Sequence, residues 1–266
     1  MQGEAADIPS TSGLWIFGYG SLCWHPGFEF EKSLTGYVRG FSRKFWQGNT
    51  THRGTESKPG RVATLVEDNE GIVWGRAFEV RGEAALPYLD TRECKLGGYH
   101  VQFTTFFPRQ ASSSSSDSES SDVPSSRPTA FPAVFYVASP ANKHWLGDAP
   151  LTEIASQIVE CSGPSGHNVE YLLRLAGFMH DFVPEALDEH LFTLEFLVRS
   201  RIKEQNLCLK TLMGGGYVPA SPPRSPPQEL EDGEEEGAAG GEPFVRPDSF
   251  QYTSRVPPKK LRCLNI

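Results

Sequence analysis

The chain has 266 residues and a formal net charge of −8, and 38% of its residues are hydrophobic. This length suffices for one well-filled domain with additional segments. The acidic balance argues against a nucleic-acid partner, because binding nucleic acid normally requires a basic surface. No apolar run reaches the roughly 20 residues that a membrane-spanning helix needs.

The cysteines and the first residues predict a cytosolic protein. The five cysteines are scattered and contain no C-x-x-C pair, so they predict neither a disulfide framework nor a zinc site. Residues 1–13 are polar and acidic, without the basic and apolar regions of a signal peptide. We therefore expect a reducing, cytosolic location and a flexible N-terminus.

An apolar run from Leu14 stops abruptly at Gly18-Tyr19-Gly20-Ser21, which we name the glycine turn (residues 18–21). A strand that enters a tight glycine turn can present several backbone N–H groups in one direction, which suits a carboxylate or an oxyanion. An isolated Gly-x-Gly is more often a simple bend, so the motif needs support from other segments.

Short runs of aromatic and β-branched residues predict strands. The candidate strands are residues 14–17, 37–46, 61–66, 72–80, 99–107 and 133–138. Residues 67–71 have turn composition between two apolar runs, which predicts a hairpin. Phe107 and Phe131 are expected at the ends of two paired strands.

Two segments have compositions typical of disorder. Residues 110–130 are rich in serine and acidic residues, and residues 212–266 are dominated by glycine, proline and glutamate. Both contain too little apolar surface to offset the entropy of ordering. We therefore predict one domain over residues 14–211, with a disordered insertion and a disordered tail.

Three helices are predicted between Leu151 and Gln205 by apolar residues at helical spacing. The second is expected to begin at Ser165 as its N-cap. The third is expected over residues 185–205, with Leu187 and Leu191 in its apolar stripe. Together with the strands they predict an α+β fold, with a closed or strongly curved sheet and helices packed outside it.

Glu93 precedes the double glycine Gly97-Gly98, which leads into a predicted strand. A carboxylate at such a strand entry is well placed to project into a barrel mouth. The alternative is a surface glutamate beside Arg92 and Lys95, which this segment alone favours.

Two other chemistries fit the sequence poorly. The glycine turn lacks the third glycine of a dinucleotide fingerprint and the Gly-Lys-Ser/Thr of a Walker loop. The seven histidines include no H-E-x-x-H, so no metal site is predicted. Cys23 could be a redox-sensitive thiol near the turn, although a packed strand-end cysteine is favoured.

Seven segments occur in an order that resembles the ChaC family of glutathione-specific γ-glutamylcyclotransferases, with the ChaC2-type branch nearest in pattern. The segments are Phe17-Gly18-Tyr19-Gly20-Ser21-Leu22, Phe45-Trp46-Gln47-Gly48, His52-Arg53-Gly54, Pro59-Gly60-Arg61-Val62, Arg92-Glu93 before Gly97-Gly98-Tyr99, Gly163-Pro164-Ser165-Gly166-His167-Asn168-Val169-Glu170-Tyr171-Leu172 and Asp188-Glu189-His190-Leu191. The resemblance extends from about Leu14 to about Asn206.

The resemblance implies a small β-barrel flanked by helices, the γ-glutamylcyclotransferase-like fold. It implies cleavage of glutathione to 5-oxoproline and cysteinylglycine, with glutathione as the partner and with no metal or organic cofactor. It places the catalytic carboxylate on Glu93. The implied substrate-binding residues are Ile16, Phe17, Gly18, Tyr19, Gly20 and Ser21.

Several points stay open from the sequence. Arg53, Arg61, Gln47 and Tyr136 are candidates, by residue type only, for binding the glutamyl α-carboxylate. The chain could instead be a regulatory interaction protein on this scaffold, or a cyclotransferase for other γ-glutamyl amines. The oligomeric state is not predicted, and lipidation of Cys263 is only weakly indicated by the final four residues.

Overall fold

The computed structural model describes residues 13–80, 99–110 and 129–214. The predicted flexible N-terminus, nearly all of the serine-rich insertion and nearly all of the C-terminal tail lie outside these ranges. Glu93 lies outside them as well.

Within the described ranges, five strands form a closed barrel in the order β1-β3-β2-β4-β5. The strands are β1 (Leu14–Gly18), β2 (Lys32–Asn49), β3 (Gly60–Val80), β4 (His100–Pro108) and β5 (Phe131–Val137). Neighbouring strands run antiparallel except at the closure, where β1 and β5 run parallel and pair through Ile16 and Val134. The predicted small barrel is confirmed.

The hairpin predicted within residues 61–80 is wrong. β3 is one strand of 21 residues, and both of its apolar runs pair with β2, with Val66 opposite Ser42 and Ile72 opposite Arg39. The turn-forming residues 68–71 bulge opposite Gly40, whose φ is +84°. Turn-forming residues reverse the chain only when the two runs on either side of them are each other's strand partners. Here the long β2 is a continuous partner for both runs.

The predicted pairing of the strands that flank the insertion is confirmed. β4 and β5 are antiparallel neighbours, and Phe106 lies opposite Phe131. The segment between them therefore begins and ends at the same edge of the barrel.

Helices pack outside the barrel and share one hydrophobic core with it. They are α1 (Leu151–Glu160), α2 (Asn168–Phe182), α3 (Glu189–Glu204) and the short α4 (Leu209–Leu212). Phe45 and Phe135 of the barrel belong to the same buried cluster as Leu172 and Leu194 of the helices. None of the helices in the described ranges is long and apolar enough to cross a membrane.

The predicted start of α2 is wrong by two residues. Its N-cap is His167, whose Nδ1 accepts a hydrogen bond of 3.1 Å from the backbone N–H of Val169. Ser165 lies instead in the turn between two short strands, β6 (Ser162–Gly163) and β7 (Gly166–His167). Sequence reasoning favoured the serine because a hydroxyl is the commoner cap.

The third helix also begins later than predicted. Asp188 is the N-cap of α3, and its Oδ1 accepts from the backbone N–H of Leu191 at 3.1 Å. Leu187, predicted to face the core, is 96% exposed. It precedes the helix, so helical spacing does not determine which way it faces.

Candidate functional site

A cavity of about 770 Å³ opens where β1 ends. Its walls come from the glycine turn, from the loop after β2, and from β3, β5 and the first turns of α2. Residues that are far apart in the sequence, from Phe17 to Arg174, thus meet here, because β1 lies between β3 and β5 in the barrel.

Five of the six predicted substrate-binding residues line this cavity, namely Phe17, Gly18, Tyr19, Gly20 and Ser21. Ile16 does not line it. That side chain is fully buried in a second hydrophobic cluster with Phe78 and Tyr136, so its place is in the wall of the barrel.

Hydrogen bonds on both sides hold the glycine turn in place. The Tyr19 hydroxyl donates to the carbonyl oxygen of Tyr136 at 2.5 Å. Behind the turn, the Cys23 thiol donates to the carbonyl oxygen of Gly18 at 3.3 Å. Burial raises the pKa of Cys23 to about 12, although Arg43 and Arg76 act in the opposite direction. Cys23 is a packed thiol, as the sequence favoured.

Gly20 lies against the hydroxyl of Tyr171. A Cβ added at Gly20 would lie 2.7 Å from that oxygen, so only glycine fits without displacing the tyrosine. The same hydroxyl accepts a hydrogen bond of 3.2 Å from the backbone N–H of Ala63. Within the described ranges the backbone N–H of Gly20 donates to no protein atom, which leaves it available to a ligand.

One end of the cavity carries a basic cluster (Arg53, Glu170 and Arg174). Arg53 Nη1 lies 2.6 Å from Glu170 Oε2, and Arg174 Nε lies 2.8 Å from Glu170 Oε1. Arg53 Nη1 also donates to the carbonyl oxygen of His167 at 3.2 Å. One carboxylate is thus shared by two guanidinium groups.

The loop that presents Arg53 is fixed by Asn49. The side-chain oxygen of Asn49 accepts from the backbone N–H groups of His52 at 2.9 Å and of Arg53 at 2.6 Å. Gly166 closes over the cluster with a φ of +111°, and a Cβ there would lie 2.5 Å from Glu170 Oε2. Asn49 and Gly166, neither of which carries a charge, therefore determine the position of Arg53.

His167 is neutral in this setting. Burial, followed by the nearby charge of Arg53, lowers its pKa below the ordinary value of 6.5, while Glu170 acts in the opposite direction. Its Nδ1 accepts the hydrogen bond that caps α2, which requires that nitrogen to be unprotonated. The positive charge at this end of the cavity therefore comes from the arginines.

Of the four candidate binders of the glutamyl α-carboxylate, Arg53 and Tyr136 line the cavity, and Arg61 and Gln47 do not. Arg61 is buried and donates to the carbonyl oxygens of Phe45 at 3.1 Å and Gly147 at 2.7 Å. Its guanidinium therefore stabilises the backbone of the barrel wall and does not line the cavity. The sequence alone could not separate these roles, because all four residues lie in or next to strands.

Sequence reasoning missed the contribution of α2. Glu170, Tyr171 and Arg174 line the cavity, whereas the helix was interpreted only as core packing. The available signal was the Glu170–Arg174 spacing of four residues, which places both on one face of a helix.

Glu93, the predicted catalytic residue, lies outside the described residues. Tyr99, six positions later, lines the cavity and donates its hydroxyl to the carbonyl oxygen of Ala63 at 3.1 Å. Among the residues that the structure describes, no three His, Cys, Asp or Glu side chains could together hold a metal ion.

Curated relatives share the region that forms the barrel and helices. The chain is 50% identical over 204 residues to rat "Glutathione-specific gamma-glutamylcyclotransferase 1", which covers 74% of this chain and 85% of the relative. It is 30% identical over 207 residues to the Schizosaccharomyces pombe "Glutathione-specific gamma-glutamylcyclotransferase", covering 72% of this chain and 95% of the relative. The rat relative carries the number 1 in its name, which differs from the ChaC2-type branch that the motifs suggested.

A solved structure agrees with the fold. The crystal structure of a yeast γ-glutamyl cyclotransferase specific to glutathione matches with a TM-score of 0.60 and 25% identity, over 71% of this chain and 97% of that chain. The sequence profile described as "ChaC-like protein" matches residues 14–201. The chain therefore belongs to the ChaC family.

Proposed function

We propose that this protein cleaves glutathione into 5-oxoproline and cysteinylglycine by cyclising its γ-glutamyl unit. The observation that carries the proposal is the cavity in which the glycine turn meets Tyr99 and the basic cluster. At about 770 Å³ the cavity is within the size range of small-molecule sites. The names of the rat and S. pombe relatives support glutathione as the substrate.

The reaction needs one group that first accepts a proton from the attacking amine and then donates it to the departing nitrogen. The α-amine of the γ-glutamyl unit attacks the γ-carbonyl carbon, a C–N bond closes the five-membered ring, and the bond to the cysteinyl nitrogen breaks. The α-nitrogen loses two protons as its ammonium group becomes the lactam N–H, and the departing cysteinyl nitrogen gains two as it leaves as an ammonium group. We assign both transfers to Glu93, which accepts each proton from the α-nitrogen and returns it to the departing nitrogen. One carboxylate suffices because the two transfers occur in sequence.

The described residues supply orientation and charge stabilisation. Because the attack is intramolecular, holding the substrate folded contributes much of the acceleration. The Gly20 N–H is a backbone donor at the cavity that is available to the oxyanion formed at the γ-carbonyl. The Tyr171 hydroxyl leaves no room for a side chain at this position.

The substitution Glu93→Gln tests the proposal directly. It removes the base while keeping the shape of the side chain, so we expect formation of 5-oxoproline and cysteinylglycine to fall by at least about 100-fold with glutathione binding largely kept. Product formation and equilibrium binding of glutathione are measured on the full chain. Glu204→Gln, at an exposed position near the end of α3, is the matched control and should leave turnover unchanged.

Near-normal turnover by Glu93→Gln would contradict the assignment of the base. Parallel assays with γ-Glu-Ala and ε-(γ-glutamyl)lysine as substrates distinguish a glutathione enzyme from a cyclotransferase for other γ-glutamyl amines. No turnover of any of the three would favour a regulatory interaction protein. The proposed location is the cytosol, which the free Cys23, Cys161 and Cys208 support.

A further inference from the structure

The basic cluster carries more positive charge than its own carboxylate neutralises. Both oxygens of Glu170 are used, Oε2 by Arg53 and Oε1 by Arg174. Counting only the three described side chains of the cluster, two guanidinium groups against one carboxylate leave one excess positive charge. A substrate carboxylate is the simplest group that would balance it.

Arg174 is the arginine of the pair with the more exposed side chain, 35% against 11% for Arg53. Arg53 is mostly buried, and its Nη1 is engaged by both Glu170 and the carbonyl oxygen of His167. Arg174 is 35% exposed and contacts Glu170 only through Nε. Within the part of the chain that the structure describes, its two terminal nitrogens donate to no protein atom. They are the fork that binds a carboxylate with two parallel hydrogen bonds.

The position of Arg174 along α2 separates it from the reacting centre. Tyr171 contacts the glycine turn at Gly20, and Arg174 follows three residues later, about 4.5 Å further along the helix axis. A carboxylate held by Arg174 therefore lies further along α2 than a group held at Gly20. Glutathione has such a group in its glycyl carboxylate, at the opposite end of the tripeptide from the cyclising unit.

We propose that Arg174 binds the glycyl carboxylate of glutathione and so selects the tripeptide over γ-glutamyl compounds that lack a charge at that end. This inference rests on the proposed function. Glu170 then acts as a positioning residue, because its contact with Nε leaves the terminal nitrogens of Arg174 to the substrate.

Arg199 provides a matched control. It forms the same kind of pair on α3, four residues after Glu195, with 2.9 Å between Arg199 Nη2 and Glu195 Oε1. Its side chain is 45% exposed, similar to that of Arg174, and it does not line the cavity. A loss caused only by removing a surface ion pair should therefore be equal in the two variants.

The experiment compares kcat/KM for glutathione with kcat/KM for glutathione whose glycyl carboxylate is converted to an amide. We expect the unaltered protein to prefer glutathione by at least about tenfold, equivalent to about 1.4 kcal/mol. In Arg174→Gln the preference should fall to near one, through a raised KM for glutathione with kcat largely kept. Arg174→Lys, which keeps the charge but not the fork, should give an intermediate preference. Arg199→Gln should match the unaltered protein.

Three results would overturn the inference. The first is an unaltered protein that does not prefer glutathione over its amide, and the second is a preference retained in Arg174→Gln. The third is an equal loss of preference in Arg174→Gln and Arg199→Gln.

Melting temperatures are measured for every variant, and if Arg174→Gln does not fold, Arg174→Lys decides by the same criterion. No turnover of glutathione by the unaltered protein overturns the proposed function and this inference together, whereas turnover with unchanged selectivity overturns this inference alone.

Discussion

At the scale of single residues, the Tyr171 hydroxyl leaves no room for a side chain at Gly20 of the glycine turn. We expect Gly20→Ala to lower kcat/KM for glutathione by at least about tenfold, equivalent to about 1.4 kcal/mol. A Cβ would lie 2.7 Å from the Tyr171 hydroxyl, so either the turn or the tyrosine must move. Steady-state kinetics on the full chain measure the effect.

Gly177→Ala is the matched control for this prediction. Gly177 lies inside α2, and a Cβ there would meet no atom within 4 Å, so activity should be unchanged and the melting temperature equal or slightly higher. Tyr171→Phe removes the clashing oxygen, so Gly20→Ala should cost less in that background. An equal cost in both backgrounds would show that the contact is not the cause.

The glycine turn could be predicted from the sequence, and the basic cluster could not. Glycines at a strand end predict a tight turn directly, since the residue type itself encodes the backbone requirement. Glu170 and Arg174 carry no such signal, because pairs of opposite charge at this spacing are common on helix surfaces. Only the packing of α2 against the end of β1 gives this pair its place at the cavity.

At the scale of elements, β2 contains an irregularity that the rest of the fold compensates. Its register with β3 shifts between Lys44 and Gln47. Within this shift the Phe45 N–H donates to Nε2 of His190 at 3.0 Å, and the Phe45 carbonyl oxygen accepts from Arg61 at 3.1 Å. Two side chains from outside β2 thus take the place of the missing ladder hydrogen bonds.

His190 makes the stability of the protein sensitive to acid. Burial, with a further contribution from Lys44, lowers its pKa to about 4 from an ordinary value of 6.5. Arg43 acts in the same direction, and Asp188 and Asp148 act against it. Between these pH values the unfolded chain binds a proton at this residue and the folded chain does not.

We therefore expect the free energy of unfolding to fall as the pH is lowered from about 6.5 to about 4, by up to about 3 kcal/mol from this residue. Urea unfolding at pH 7 and at pH 4.5 measures the change. His190→Gln keeps an acceptor for Phe45 but cannot titrate, so it should lose less stability on acidification. Equal acid sensitivity in His190→Gln and the unaltered protein would contradict the assignment.

The sequence predicted an element correctly where the periodicity within the segment determines its structure. The prediction failed where the structure depends on a partner that is distant in the sequence. The apolar stripes of α1 and α2 and the runs of β4 and β5 are properties of the segments themselves. Whether residues 67–71 reverse the chain depended on the length of β2, because β2 pairs with β3 on both sides of them. The cap of α2 depended on the hairpin that precedes it.

At the scale of the whole molecule, the described core ends with α4. Met213 is buried, and Leu209 and Leu212 pack against the same cluster. The sequence predicted a domain over residues 14–211, and we propose that the folding unit extends to Gly214. This boundary can be tested by truncation.

A chain that ends at Gly214 should keep glutathione turnover and a melting temperature within about 4 °C of the full chain. A chain that ends at Asn206 loses the burial of Met213 and the packing of α4, about 2–3 kcal/mol, and should melt about 5–10 °C lower. Calorimetry and the product assay measure both. A large loss in the longer truncation would show that residues beyond 214 contribute to the fold.

The closure of the barrel also determines when the cavity can appear during folding. Tyr19 and Tyr136 are 117 positions apart, as are Arg53 and Glu170, and Ala63 and Tyr171 are 108 apart. Contacts between distant positions require loop closure before they contribute free energy, which slows their formation. A chain with only its local hairpins and helices formed has no cavity. Recovery of glutathione turnover during refolding is therefore a reporter of these distant contacts.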